Sequence, residues 1–315
     1  MAGETTLKER MNMVCCAVLL FFAVLLAVRL VLSFAFAFSE SEGDGILQGT
    51  ADALSYAASY FISAAIFRRL FTSGALPMRF APNFTPHTFA VLSVCAALLL
   101  AVSHFSSFLL GGASAEAPET EIYRGVDIIL LFLSTVIIPA FCEEMLFRGI
   151  VTNNLLPFGK TFAIVASGVI FGLAHGNHDQ FLFASVAGIV LGWLYAETGS
   201  VWSGIFLHLF NNLLSVSETV ILGVFPAERA YLICVSIELF IMLCGVLSLI
   251  YLLILRKREK CVETAGGSFG RILPSFLGRE KHLRTEEYIK GFFSPVMIVF
   301  LAYTAVSEVL YVLLF

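Results

Sequence analysis

The sequence predicts an all-α fold, a polytopic transmembrane helical bundle of about eight to nine spans. Three observations predict it. Hydrophobic residues make up 59% of the chain and charged residues only 13%, with a mean hydropathy of +0.91, far from the composition of a soluble domain. Apolar stretches recur at the length of about 20 residues that a helix needs to cross a bilayer. The charges between them are sorted by sign from one linker to the next. In water such a chain would present large apolar patches, whereas side chains that face lipid need no polar coat.

Taken in order, the apolar runs lie at 11–38, 47–71, 88–112, 126–150, 159–176, 180–197, 200–224, 229–255 and 291–315. The first follows Lys8 and Arg10 and extends from Met11 to Phe38, longer than the roughly 7–15 apolar residues of a signal peptide, so it reads as a retained span. Basic residues fill alternate linkers: Arg68, Arg69 and Arg79; then Arg148 and Lys160; then Arg256, Lys257, Arg258, Lys260, Arg271, Arg279, Lys281, Arg284 and Lys290. The intervening linkers are acidic, as in SESEGDG at 39–45 and SAEAPETE at 114–121. Positive charge marks the cytoplasmic side, which places the amino terminus inside and the carboxy terminus outside and requires an odd number of spans. The basic stretch 256–290 is too short and polar to bury a core and reads as a cytoplasmic linker with a juxtamembrane helix. The organisation is therefore amino-terminal helices over 1–125, a central helical core over 126–224 and carboxy-terminal helices over 225–315.

A net charge of −4 gives no footprint for nucleic acid, and no nucleic acid partner is expected. The seven cysteines show no CxxC spacing and read as small apolar packing residues. No internal repeat or low-complexity tract is present.

Ionisable residues inside a span cost about 2.5–3.5 kcal/mol each on insertion scales, so each needs a partner, a watery cavity or a function. They cluster in the middle third. The fourth run, IILLFLSTVIIPAFCEEMLFRGIV, carries Glu143, Glu144 and Arg148; the fifth ends in FGLAH with His175; the seventh carries HLFNN with His208, Asn211 and Asn212. Spacing of i,i+4 lets Glu144 pair with Arg148 and puts His208 and Asn212 on one face. Glu143 is rotated away by about 100°. Phe171, a turn below His175, forms an apolar wall. Pro139 removes a backbone bond just before the glutamates, and the resulting bend makes room for water beside Glu143.

These groups suit amide hydrolysis without a covalent intermediate. A carboxylate in a water-poor cavity can take a proton from water and return it to a leaving amine, while imidazoles and an amide orient that water and stabilise an oxyanion. Cys142, Ser167 and Ser203 lie nearby, but neither a GxSxG elbow nor a Cys-His signature accompanies them. Two histidines and a carboxylate are also a catalytic zinc ligand set, which here would be Glu143, His175 and His208. HExxH spacing is missing, so the residues support a metal-free and a zinc-assisted mechanism alike.

The pattern resembles the CAAX prenyl protease II and bacteriocin-processing (CPBP, or Abi) family of intramembrane proteases. EEMLFR at 143–148 matches EExxxR, FGLAH at 171–175 matches FxxxH and HLFNN at 208–212 matches HxxxN, in the family's order and each on an apolar run. The likeness covers roughly 126–224. It implies that Glu143 activates water with His175 assisting, that His208 and Asn212 stabilise the oxyanion, and that Glu144, Arg148 and Phe171 support them. Between the two mechanisms associated with the family, the missing zinc spacing favours the glutamate-dependent one, and the likeness implies a peptide or membrane-protein substrate reached within the lipid bilayer. The compact chain looks more like the family's bacterial processing and immunity members in a cytoplasmic membrane than its prenyl-protein branch. Two other readings stand beside this one: a catalytically silent scaffold or immunity protein that binds a peptide or membrane partner, and a transporter, against which the lack of inverted repeats counts.

Other polar residues have blander expectations. His178 and Asp179 read as loop residues, Asn211 as a helix-to-helix hydrogen bond, and Arg29, His104, Glu238 and Glu308 as packing pairs or cavity residues. Gly168, Gly172, Gly188 and Gly192 follow small-xxx-small spacing, which brings helices close. One expectation conflicts with the rest: on straight helices Glu143 falls near the inner end of its span and His175 near the outer end of the next. The fifth span must then start deep in the membrane, or Pro139 must tilt the fourth.

Overall fold

The computed structural model describes residues 6–36, 45–70, 80, 84–109, 125–264 and 283–314. Arg79, the acidic residues at 39–44 and 114–121, and the basic stretch that includes Arg271, Arg279 and Lys281 lie outside the described residues. Helix dominates, and no strand occurs among the described residues. The helices are α1 (Leu7–Phe36), α2 (Gly45–Leu70), α3 (Pro86–Leu109), α4 (Ile128–Phe158), α5 (Lys160–Ala174), α6 (His178–Thr198), α7 (Val201–Val224), α8 (Ala227–Thr264), α9 (Thr285–Phe292) and α10 (Pro295–Leu314).

Among the described residues each expected apolar run is mainly helical, the last one broken at Phe293–Ser294, but fewer helices qualify as spans than the eight to nine expected. Six of the described helices are long and apolar enough to cross a membrane, or up to seven if the bent pair α9–α10 is one span. Two runs account for most of the shortfall. α5 is only 15 residues long. α2 is diluted by serines at i,i+4 spacing, Ser55, Ser59 and Ser63, all buried. Their hydroxyls donate to carbonyls of their own helix, Ser55 Oγ to Ala51 O at 2.7 Å and Ser63 Oγ to Tyr60 O at 3.0 Å, so the polar atoms are satisfied without water. Elsewhere large apolar side chains face outward, Phe240 and Tyr231 of α8 each at 66% exposure, as lipid contact requires. The chain is an integral membrane protein.

α4 is the hub, packing against α1, α2, α5, α6 and α7. Its run was expected to end at 150, yet the helix continues to Phe158. The polar pair Asn153 and Asn154 ends no helix here, because both are buried with partners: Tyr195 Oη donates to Asn153 Oδ1 at 3.1 Å and Arg10 Nη1 to Asn154 Oδ1 at 2.8 Å. A 3-10 turn over Leu156–Phe158, containing Pro157, closes it. The chain then reverses at Gly159, whose φ of 122° is open to glycine and rarely to other residues.

This longer α4 removes the conflict in height between Glu143 and His175. Glu143 lies sixteen residues before Gly159 and His175 sixteen after it, so at ~1.5 Å per residue both stand roughly 24 Å from the turn. α5 and α6 then pack at very short range. A Cβ added to Gly172 would lie 2.8 Å from Phe181 O, and one on Gly188 2.9 Å from Gly168 Cα. At Gly192 the nearest contact, 3.7 Å, is ordinary. Since lipid is as apolar as a leucine side chain, such close backbone packing is what holds these helices together. An ion pair between Lys160 and Glu197 ties their ends.

Candidate active site

Pro139 shapes the ground on which the glutamates stand. It carries no N–H, so the carbonyl four residues back, Thr135 O, loses its regular partner. The helix widens into a π-helical segment over Phe132–Ile137. Asn212 Nδ2 of α7 donates to Thr135 O at 3.1 Å. From Ile138 the backbone is α again through Glu144, Pro139 included, and it widens once more over Met145–Thr152. Glu143 and Glu144 thus sit between two π segments, a distortion frequent at functional sites.

The two carboxylates diverge as adjacent positions on a helix must. Glu144 is fully buried beside Arg148, which is also fully buried, with Nε to Oε2 at 3.2 Å. This is a charge contact at i,i+4 and not an aligned hydrogen bond, since neither atom finds a bonding partner. Arg148 Nη2 donates instead to Gly188 O at 3.2 Å, and the guanidinium lies 4.9 Å from the Phe171 ring centroid. The other oxygen, Glu144 Oε1, lies 3.1 Å from His208 Nδ1. Gly204 makes this possible, because a Cβ there would overlap the Glu144 carboxylate.

Glu143 turns toward α2. Tyr56 Oη donates to Glu143 Oε1 at 2.5 Å. Glu143 Oε2 is buried without a hydrogen-bond partner and faces His208 Nε2 at 3.8 Å. The His208 ring, 7% exposed, therefore stands between two glutamates, and its Nδ1 is committed to the second. No motif pointed to Tyr56 or to the Glu144–His208 bond.

His175 is the residue that ends α5. Its Nδ1 is 2.8 Å from Phe171 O, and since a carbonyl only accepts, Nδ1 is the donor. The Phe171 ring meets the His175 ring edge-on at 4.8 Å and the His208 ring at 5.9 Å. One helical turn further on, His175 and Asn212 line a common cavity of about 330 Å³. Its walls also include Gln180, Asn211, Glu218 and Glu238, so Asn211 faces the cavity. His104 pairs with Glu238 at 3.3 Å, and His178, at the start of α6 and not in a loop, with Glu308 at 2.6 Å.

The structure therefore gathers Glu143, Glu144, Arg148, Phe171 and His208 into one contact network, with His175 joined through Phe171 and Asn212 beside His175. Among the described residues no three His, Cys, Asp or Glu side chains are grouped so that they could hold a metal ion. Cys15, Cys16, Cys95, Cys142, Cys234 and Cys244 are free thiols.

A family model described as type II CAAX prenyl endopeptidase, Rce1-like, matches residues 125–214, the stretch that supplies Glu143, Glu144, Arg148, Phe171, His175, His208 and Asn212. Residues 125–214 thus resemble a CPBP-type domain. The chain is also 26% identical over 209 residues, 62% of its length and 82% of the relative's, to the "Putative membrane peptidase YdiL" of Bacillus subtilis (strain 168). No solved structure matches the chain. Within the matched segment α4, the end of α5 and α7 carry EExxxR, FxxxH and HxxxN.

Proposed function

We propose that this protein is an intramembrane endopeptidase that hydrolyses a peptide bond of a small or membrane-associated peptide, with Glu143 as the base. The observation that carries the reading is the unpartnered, buried Glu143 Oε2 facing His208 Nε2 at 3.8 Å beside a CPBP-type set of polar residues. An unpaired carboxylate oxygen in a helical bundle is costly, and a water held there would satisfy it. Glu143 Oε2 takes a proton from that water, with His175 assisting. The hydroxide oxygen bonds to the substrate carbonyl carbon, and the C=O electron pair moves onto its oxygen. His208 and Asn212 stabilise the oxyanion. Collapse re-forms the carbonyl and breaks the C–N bond, and the proton held by Glu143 passes to the amine.

The test is cleavage of a quenched-fluorescent peptide mixture by the full chain in nanodiscs. Glu143→Gln should lower kcat by about 10²-fold or more, with losses also in His175→Ala, His208→Ala and Asn212→Ala. Cleavage equal in all of them would end the peptidase reading and leave a peptide-binding scaffold. No step above is routed through a metal, so activity should survive a strong chelator. Loss on chelation, restored by zinc, would move Glu143, His175 and His208 into ligand roles. We place the amino terminus in the cytoplasm, on the basic ends of α2 and α8 at Arg68, Arg69 and Arg256–Arg258. Single cysteines at the two termini should label from opposite sides of a sealed membrane.

A further inference from the structure

We propose that Tyr56 is a positioning residue for Glu143, an inference that rests on the peptidase reading above. Its observations are separate from that reading. Tyr56 comes from α2, outside the segment 125–214 that matches the CPBP family model, and its hydroxyl makes the hydrogen bond at 2.5 Å to Glu143 Oε1. The phenol is held from behind: the Phe21 ring of α1 meets the Tyr56 ring edge-on at 5.3 Å. Along α2 the buried Ser55 and Ser59 flank it, their hydroxyls turned back onto their own helix. Among the described hydrogen bonds to the Glu143 carboxylate, the one from Tyr56 is the aligned one.

The consequence for the base is geometric. A carboxylate on a two-carbon stem can rotate and present either oxygen. With Oε1 tied to Tyr56, rotation is stopped and Oε2 alone is aimed at His208 and the space where water must be activated. A phenol suits the task, because it donates one hydrogen and its ring is fixed by packing. It does not take the proton during turnover; it fixes which oxygen does. The amino-terminal helices thereby complete a site whose other members all lie in the central segment.

The experiment uses the full chain in nanodiscs and the same peptide mixture, with Glu143→Gln as the inactive reference. Tyr56→Phe keeps the ring packed on Phe21 and removes only the donor. We expect kcat to fall about tenfold, the loss that one charge-assisted hydrogen bond implies, with KM within about twofold. The acid limb of the pH–rate profile should move to higher pH, because a carboxylate that loses a donor holds its proton more tightly. Replacing Tyr56 by a ring-fluorinated tyrosine, a stronger donor of the same shape, should move that limb the opposite way, a response that packing alone cannot produce. Tyr60→Phe, one turn along α2, should leave rate and profile unchanged. If Glu143→Gln abolishes cleavage while Tyr56→Phe and the fluorinated residue leave kcat and the acid limb where they were, the inference is overturned and the peptidase reading stands. If cleavage persists in Glu143→Gln, both fall.

Discussion

Glu144 divides its carboxylate between Arg148 and His208, one basic group to each oxygen. Removing Arg148 would leave a charge with no counterion at a fully buried position, a change that costs about 3–5 kcal/mol. Arg148→Met should therefore lower the unfolding midpoint in detergent sharply, and adding Glu144→Gln to it should recover part of the loss. Gly204→Ala places a methyl group on the Glu144 carboxylate and should reduce peptide cleavage through displacement of His208, with a smaller effect on stability. At this scale the chain was legible where a residue was out of place in its run: Glu143, Glu144, Arg148, His175 and His208 stand out because charge and imidazole are rare in apolar helices. Tyr56 and Gly204 gave no such signal. Tyrosine and glycine are ordinary in spans, and Tyr56 meets Glu143 across 87 positions of sequence, a distance no periodicity spans.

The element that decides the site is α4, and its behaviour was half visible. Pro139 announced a broken backbone bond, but the sequence did not say that a π-helical turn and the amide of Asn212 would absorb it. Pro139→Ala returns an N–H that competes with Asn212 for Thr135 O, so it should lower kcat by several-fold while raising thermal stability, as turnover assays and unfolding curves on one preparation would show. The far end of α4 was misplaced for a different reason. Asn153, Asn154 and Pro157 look like a linker by composition, and only the partners on α1 and α6 reveal the asparagines as buried. Between α5 and α6 the glycine spacing was read as close packing, and the structure shows it at Gly168, Gly172 and Gly188. Gly172→Leu forces a side chain into Ser185 and Phe181; overpacking of this kind costs about 1–3 kcal/mol and should appear as a lower midpoint together with loss of activity, since His175 ends the same helix.

At the scale of the molecule, the two ends of the chain meet. Met11 and Val14 of α1 are shut away beneath Met297 and Phe300 of α10, all of them at 0% exposure. A chain ended after Thr264 would lay that face of α1 open and should elute as aggregate from a sizing column in mild detergent. Composition alone was enough to reveal a membrane-embedded helical protein, because 59% hydrophobic residues leave no other solvent for it. The number of crossings was harder to read, since a window of hydropathy counts apolar length and cannot know that α5 is short or that α9 bends into α10. The hairpin of α4, Gly159 and α5 has one last consequence. Its two arms work as a ruler folded at the glycine, and the base and the imidazole stand at matched height because the same number of residues lies on each side. Inserting one residue between Asn153 and Phe158 would slide one mark past the other by about 1.5 Å and swing it by about 100°. Tolerance to insertions should thus vanish along these arms while persisting in the loops outside them, and a scan of single-residue insertions would map where the gauge begins and ends.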